Sequence, residues 1–178
     1  MDRSRTGPVV VRPFLAGDPR PPTPWPEAGR RLAEAGAYWL ATVRADGRPH
    51  VVPVFAVWLD GALYFVANAA SRKARNLARD PHCVVTVERH PHHLVVEGTA
   101  AVVRDEAVLR RVAAAFGSGG WLVEIRDGAF EAEGAPTAGS SPYDVYEVVP
   151  TAAFGFGADD TVVPTRWRFS PSSAISGG

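Results

Sequence analysis

Apolar positions along this chain recur mostly with a period of two. Residues 38–44 (YWLATVR), 50–59 (HVVPVFAVWL) and 62–67 (ALYFVA) are β-branched and aromatic runs of strand length. Between them lie Ala45-Asp46-Gly47-Arg48 and Asp60-Gly61, whose Asp-Gly pairs suit tight hairpin turns. The three runs predict an antiparallel meander. Its second strand should be bulged at Pro53, which cannot donate to a ladder. Residues 71–80 (SRKARNLARD) break the alternation: helix formers follow a serine at the capping position, and Pro81 stands just beyond the end. Residues 82–88 and 94–103 resume the strand pattern, joined by a loop at Arg89-His90-Pro91-His92-His93. Residues 105–116 place Val108, Leu109, Val112 and Phe116 on one helical face. Residues 117–141 are rich in small and acidic residues and predict partly irregular chain. Runs at 143–149 and 151–156, divided by Pro150, and at 165–169 complete the strands.

Residues 1–24 hold six of the sixteen prolines and predict an extended or disordered arm, free to lie against a partner subunit. Thr23 is placed to cap a short helix over residues 26–35, with Gly36 as its stop. Residues 25–169 then form one folded domain, and residues 170–178 a small, polar, flexible tail. Six to eight antiparallel strands with short inserted helices describe a mainly β fold. Closing them into a barrel removes exposed edges. There is no β-α-β alternation, which argues against a doubly wound sheet.

Composition narrows function by exclusion. A length of 178 residues suits one domain. Nineteen basic and nineteen acidic residues cancel, so no overall charge favours nucleic acid or an anionic membrane. Cys83 is alone, which excludes an intrachain disulfide and a cysteine zinc cage and makes a reducing, cytoplasmic compartment the expectation. No apolar run approaches the roughly 18 residues of a spanning helix. Eighteen of the basic residues are Arg, so the one Lys, at position 73, stands out.

That Lys lies in the segment with the most specific chemistry. A strand ends near Ala67, a short loop with Asn68 follows, and a helix opens on Ser71-Arg72-Lys73. Helix N-termini offer unpaired N–H groups and a positive dipole end. A hydroxyl, a guanidinium and an ammonium added there make an anion site, with phosphate the favoured occupant. By composition alone, Arg72, Lys73, Arg75 and Arg79 also read as a solvated helix face.

The order of residues shifts that balance. The run Phe65-Val66-Ala67-Asn68-Ala69-Ala70-Ser71-Arg72-Lys73 resembles a motif of the pyridoxamine 5′-phosphate oxidase family of FMN-binding split barrels. The resemblance implies an antiparallel, Greek-key split barrel in which Ser71, Arg72 and Lys73 hold a cofactor phosphate, with Ala67 and Asn68 near the ribityl chain. A threonine of the motif is replaced by Ala67. The rest of the chain is similar to the flavin/deazaflavin oxidoreductase branch. The similarity rests on Pro53-Val54, Trp58 and Asp60-Gly61; on Ser71-x-Lys73-x-x-Asn76-Leu77 with Asp80-Pro81; and on Glu97-Gly98-Thr99-Ala100 with the closing Thr165-Arg166-Trp167-Arg168-Phe169. The strand at 52–57 lacks the arginine that pyridoxamine phosphate oxidases add to their phosphate site, and their C-terminal substrate residues are absent too.

The resemblance implies a homodimer with coenzyme F-420, a deazaflavin, or alternatively FMN, bound at the subunit interface. It implies a hydride delivered to a small unsaturated or conjugated acceptor. Val52, Pro53 and Val54 would flank the ring, Asn76 would belong to the motif helix, and Arg166 and Trp167 would close the far side. The alternatives are an FMN-dependent oxidase-like protein, and a non-catalytic haem, tetrapyrrole or cofactor binder using His90, His92 or His93. The ordinary reading of those three histidines is a solvated loop, and of His50 a satisfied, half-buried strand residue.

Overall fold

The computed structural model describes residues 7–135 and 139–170. In chain order its elements are β1 (Val10–Pro13), α1 (Trp25–Ala33), β2 (Tyr38–Val43), β3 (Pro49–Val54), β4 (Ala56–Leu59), β5 (Ala62–Ala67), α2 (Arg72–Arg79), β6 (His82–Arg89), β7 (His92–Val102), α3 (Glu106–Ser118), β8 (Glu124–Arg126), β9 (Ala129–Glu131), β10 (Asp144–Gly157) and β11 (Thr165–Arg168). Nine strands form one antiparallel sheet in the order β1-β11-β10-β7-β6-β2-β3, with β5 on β10 and β4 on β5. Strand β10 organises it. One of its edges pairs with β7, while the other pairs first with β5 and then with β11. The sheet divides along that second edge, and the result is a split β-barrel.

The pairing explains the composition of the strands. Alternate residues of β5 enter two different cores: Leu63, Phe65 and Ala67 face the barrel interior, while Tyr64 and Val66 pack under α3. A strand buried on both faces needs an uninterrupted apolar run, and ALYFVA supplies it. Helix α3 presents Leu109, Val112 and Phe116 to the second core, and Asp105 caps it by accepting from the Ala107 and Val108 amides.

Several expectations change. Residues 50–59 are not one strand bulged at Pro53. The chain breaks at Phe55, so β3 pairs with β2 while β4 pairs with β5. Pro53 is tolerated because β3 is the last strand of its edge, where a missing N–H costs no ladder bond. The three-strand meander is thus two hairpins in different halves of the barrel. Pro150 does not divide a strand, because β10 continues through it with a register shift between Pro150 and Ala152. Thr23 does not cap α1. The N-cap is Pro24, and the Thr23 hydroxyl donates to the Val163 carbonyl at 3.4 Å. Within the N-terminal arm, β1 pairs with β11 of its own chain. Residues 117–141 contain the β8–β9 hairpin. The tail expected beyond residue 170 lies outside the described residues, as do residues 1–6 of the arm.

Gly98 lies at this shift, opposite Pro150. A Cβ built there would collide with the Val149 carbonyl oxygen and crowd the Val148 side chain. Both belong to the central strand, so neither yields cheaply. Gly98→Ala should therefore lower stability by about 1–3 kcal/mol, as overpacking does. Urea unfolding would measure it, and a change within error would mean that β10 shifts freely.

Candidate functional site

The loop between β5 and α2 is built by its own side chains. Asn68 accepts from the Ala70 amide at 2.8 Å and donates to the Ser140 carbonyl at 2.8 Å, while its own carbonyl receives the Ser71 amide. Ser71, with extended backbone, caps α2 by accepting from the Ala74 amide at 3.3 Å. The helix is then fixed on the sheet by Ala74 and Leu77 in the barrel core, and by a buried bond of 2.9 Å from Asn76 Nδ2 to Thr42 Oγ1. The same face buries Lys73, only 5% exposed, and leaves Arg72 and Arg75 outside.

Where this helix meets β3, a cleft of about 250 Å³ is lined by His50, Val52, Pro53, Arg72 and Lys73. Four of these five were singled out from sequence. His50 was not, because a lone strand histidine carries no signal until the β2–β3 register places it beside Thr42, 3.4 Å from its hydroxyl. Arg44 does not line the cleft but acts on His50 through its charge. The electrostatics of the cleft are one-sided. Burial, then Arg44, Arg72 and Lys73, hold His50 below its ordinary value of 6.5. Burial also pushes the Lys73 ammonium below its usual range. These groups raise a positive potential in a partly desolvated cleft, a setting where an anion binds strongly.

The remaining candidates lie elsewhere. Val54 and Ala67 are core residues, and Asn76 is committed to Thr42. Trp167 is fully buried, ringed by Trp25 and Gly155, and its indole N–H donates to the Thr23 carbonyl. Arg166 stacks over the Phe154 ring at 5.3 Å. Neither residue lines the cleft in this chain. The histidines expected in a loop are divided: His90 is exposed, but His92 opens β7 and is buried.

Over residues 25–153 the sequence matches the family model described as pyridoxamine 5′-phosphate oxidase. The chain belongs to the pyridoxamine 5′-phosphate oxidase family. No curated protein sequence matches it. Similar solved structures include an FAD-binding protein from Mesorhizobium loti, with 16% identity and a TM-score of 0.58 over 88% of this chain and 96% of that one. A haem-binding protein from Mycobacterium smegmatis aligns with 18% identity and a TM-score of 0.57, over 79% of this chain and 57% of that one. An F-420 reductase aligns with 23% identity and a TM-score of 0.50, over 70% and 93%. At these identities the likeness is one of fold.

Proteins of this family bind flavins or deazaflavins and are often dimeric. The cleft fits the phosphate of such a group on its own evidence: its lining holds the Arg72 guanidinium and the buried Lys73 ammonium, and the charges that act on His50 are cationic.

That field has a measurable consequence. With its folded value below 6.5, His50 takes up a proton more readily in the unfolded chain. Its contribution therefore lowers stability as pH falls through 6.5 towards the folded value. NMR titration should place His50 below 6.5, and Arg72→Ala should move it upward. An unmoved titration would remove Arg72 from the field of the cleft.

Proposed function

We propose that this chain is an oxidoreductase that holds coenzyme F-420, with FMN the alternative, through a phosphate seated in the cationic cleft at the start of α2. The observation that carries this reading is the buried Lys73 beside Arg72 and His50, with Arg44 close enough to act on the same ring. When bound, the cofactor supplies the hydride chemistry. The likeness in fold to an F-420 reductase favours the deazaflavin.

The chain's own residues would bind and orient. Ser71 already accepts the Ala74 amide, which leaves its hydroxyl proton for a phosphate oxygen. Arg72 can bind in a bidentate manner, whereas Lys73 provides a point charge at a fixed depth. Val52 and Pro53 are the apolar residues of the cleft and would stand beside the ring. Among the described residues β3 ends its sheet, so its outer backbone groups would be open to the polar edge of the ring. The family resemblance, rather than the cleft, is what implies a small unsaturated or conjugated acceptor.

The outward face of the same hairpin supports a homodimer. Trp39 is 49% exposed, Val51 54% and Val43 38%, and β2–β3 pairing puts them on one surface with Pro53. A contiguous apolar patch of this kind usually marks an interface. A second copy seated there would bring its own residues to the cleft.

Two measurements test this reading. Lys73→Ala should weaken F-420 or FMN binding by ~1.5–3 kcal/mol, the scale of a lost charge-assisted contact, with the fold intact. Side-by-side fluorescence titration of the wild type would show which cofactor is preferred. Tight FMN binding alone would transfer the reading to a flavin enzyme, and binding of neither would end it. Separately, Val51→Asp should shift the protein from dimer to monomer in sedimentation. A monomeric wild type would overturn the homodimer.

A further inference from the structure

Strand β3 supplies His50, Val52 and Pro53 to the phosphate cleft, and its pairing with β2 decides which way His50 points. His50, Val52 and Val54 lie opposite Thr42, Leu40 and Tyr38, all three of which are buried. Directly opposite residues of an antiparallel pair share a face. His50 therefore projects on the side of the sheet that carries the barrel core. Helix α2 covers that side at this point, since Asn76 Nδ2 donates to Thr42 Oγ1 at 2.9 Å. His50 Nδ1 stands 3.4 Å from the same oxygen. The imidazole is half-buried and lines the cleft together with Arg72 and Lys73.

The charges around this ring have one sign. Burial first, and then Arg44 of the β2–β3 turn and Arg72 and Lys73 of α2, disfavour a proton on it. The acid of the same turn, Asp46, is bound by Arg48 at 2.7 Å. The residues beside His50 on its own strand, Pro49 and Val51, carry no charge. Arginine keeps its proton throughout the physiological range, whereas imidazole changes charge within it. An anion that settles on Arg72 and Lys73 adds negative charge to the surroundings of the ring and so favours its proton. Once protonated, both ring nitrogens donate, whichever of them held the proton before. The cleft then gains a further charge-assisted donor.

We propose that His50 is a further anion-binding residue of the cleft, one that takes up a proton as the phosphate enters and then donates to it. The inference rests on the phosphate reading of the cleft, but not on which cofactor carries that phosphate. Its consequence is linkage between anion and proton. His50 has a higher pKa with the anion bound than without it, so affinity rises as pH falls through its titration. Lys73 is the other group in the cleft whose proton an anion would hold, and a substitution at His50 separates the two.

Sulfate is the probe, because its charge is constant over this range and the full chain can be used without cofactor. The His50 ring is followed by NMR from about pH 8 to pH 5, in chloride and in sulfate at equal ionic strength. Sulfate should raise the His50 midpoint by about one pH unit and bind about tenfold more tightly at the acid end. The backbone amides of Arg72 and Lys73 report saturation independently. His50→Gln should still bind sulfate, with an affinity that no longer varies with pH. If those amides saturate while His50 keeps its midpoint, the proposal falls and the phosphate cleft stands. If neither responds, the phosphate reading falls with it. A pH-dependent affinity that survives His50→Gln would also overturn the proposal, by assigning the proton to another group.

Discussion

The hydrogen bond from Asn76 to Thr42 fixes where the anion site can be. It is buried, 2.9 Å long, and joins α2 to β2. A buried polar pair of this kind is costly to break, because each partner would be left unmet. It therefore sets both the rotation and the height of the helix. Once Asn76 and Leu77 face inward, helical spacing turns Lys73 and Ala74 inward as well. Lys73 is thus buried by the geometry that anchors the helix, and its ammonium bears the desolvation that follows. Thr42 lies opposite His50, so the same contact ties the helix to the β2–β3 hairpin that forms the other wall.

The second constraint is the break at Phe55. Val54 ends β3 in the barrel core, while Phe55 packs against the core under α3, with its ring 5.1 Å from Phe116 and 5.0 Å from Trp121. A single straight strand could not serve both cores. Ending β3 there leaves it, among the described residues, at the edge of its sheet with one side of its backbone unpaired. It also leaves the outward side chains of the hairpin, Trp39 and Val51 among them, exposed. The wall of the cleft and the apolar face have one origin.

Local chemistry made much of this legible in the sequence. Ser71 and Asp105 cap the helices their spacing predicts, and Gly47 takes the left-handed turn that Asp46-Gly47 announces, with φ of 82°. The two-sided burial of β5 follows from its unbroken apolar run. What could not be read was long-range. Residues 50–59 look like one strand because periodicity records alternation and not which partner is paired. Pro150 looks like a divider because the edge it faces, at Gly98, belongs to a strand some fifty residues away in sequence. His50 joins the site only through the hairpin register. Trp167 and Arg166 form a motif on paper, yet Trp167 is needed to fill the space beside Trp25 and Gly155.

A chain with no net charge can still hold a strongly positive cleft, and the pairing of its acids shows how. The carboxylates nearest in sequence to the site are Asp46, in the β2–β3 turn, and Asp80, at the end of α2. Asp46 is engaged by Arg48, at 2.7 Å, and Asp80 by His82, at 2.8 Å. These bonds hold both carboxyls below their ordinary range. With those two acids turned to their own neighbours, the charges that act on His50 are Arg44, Arg72 and Lys73, all cationic. Around His92 the arrangement is the reverse, since Glu27 is set between Arg31 and the imidazole. The cleft at α2 is therefore left with positive charge for an anion, while around His92 acid and base stand in balance. That difference lies in which acid each base meets, which composition averages away.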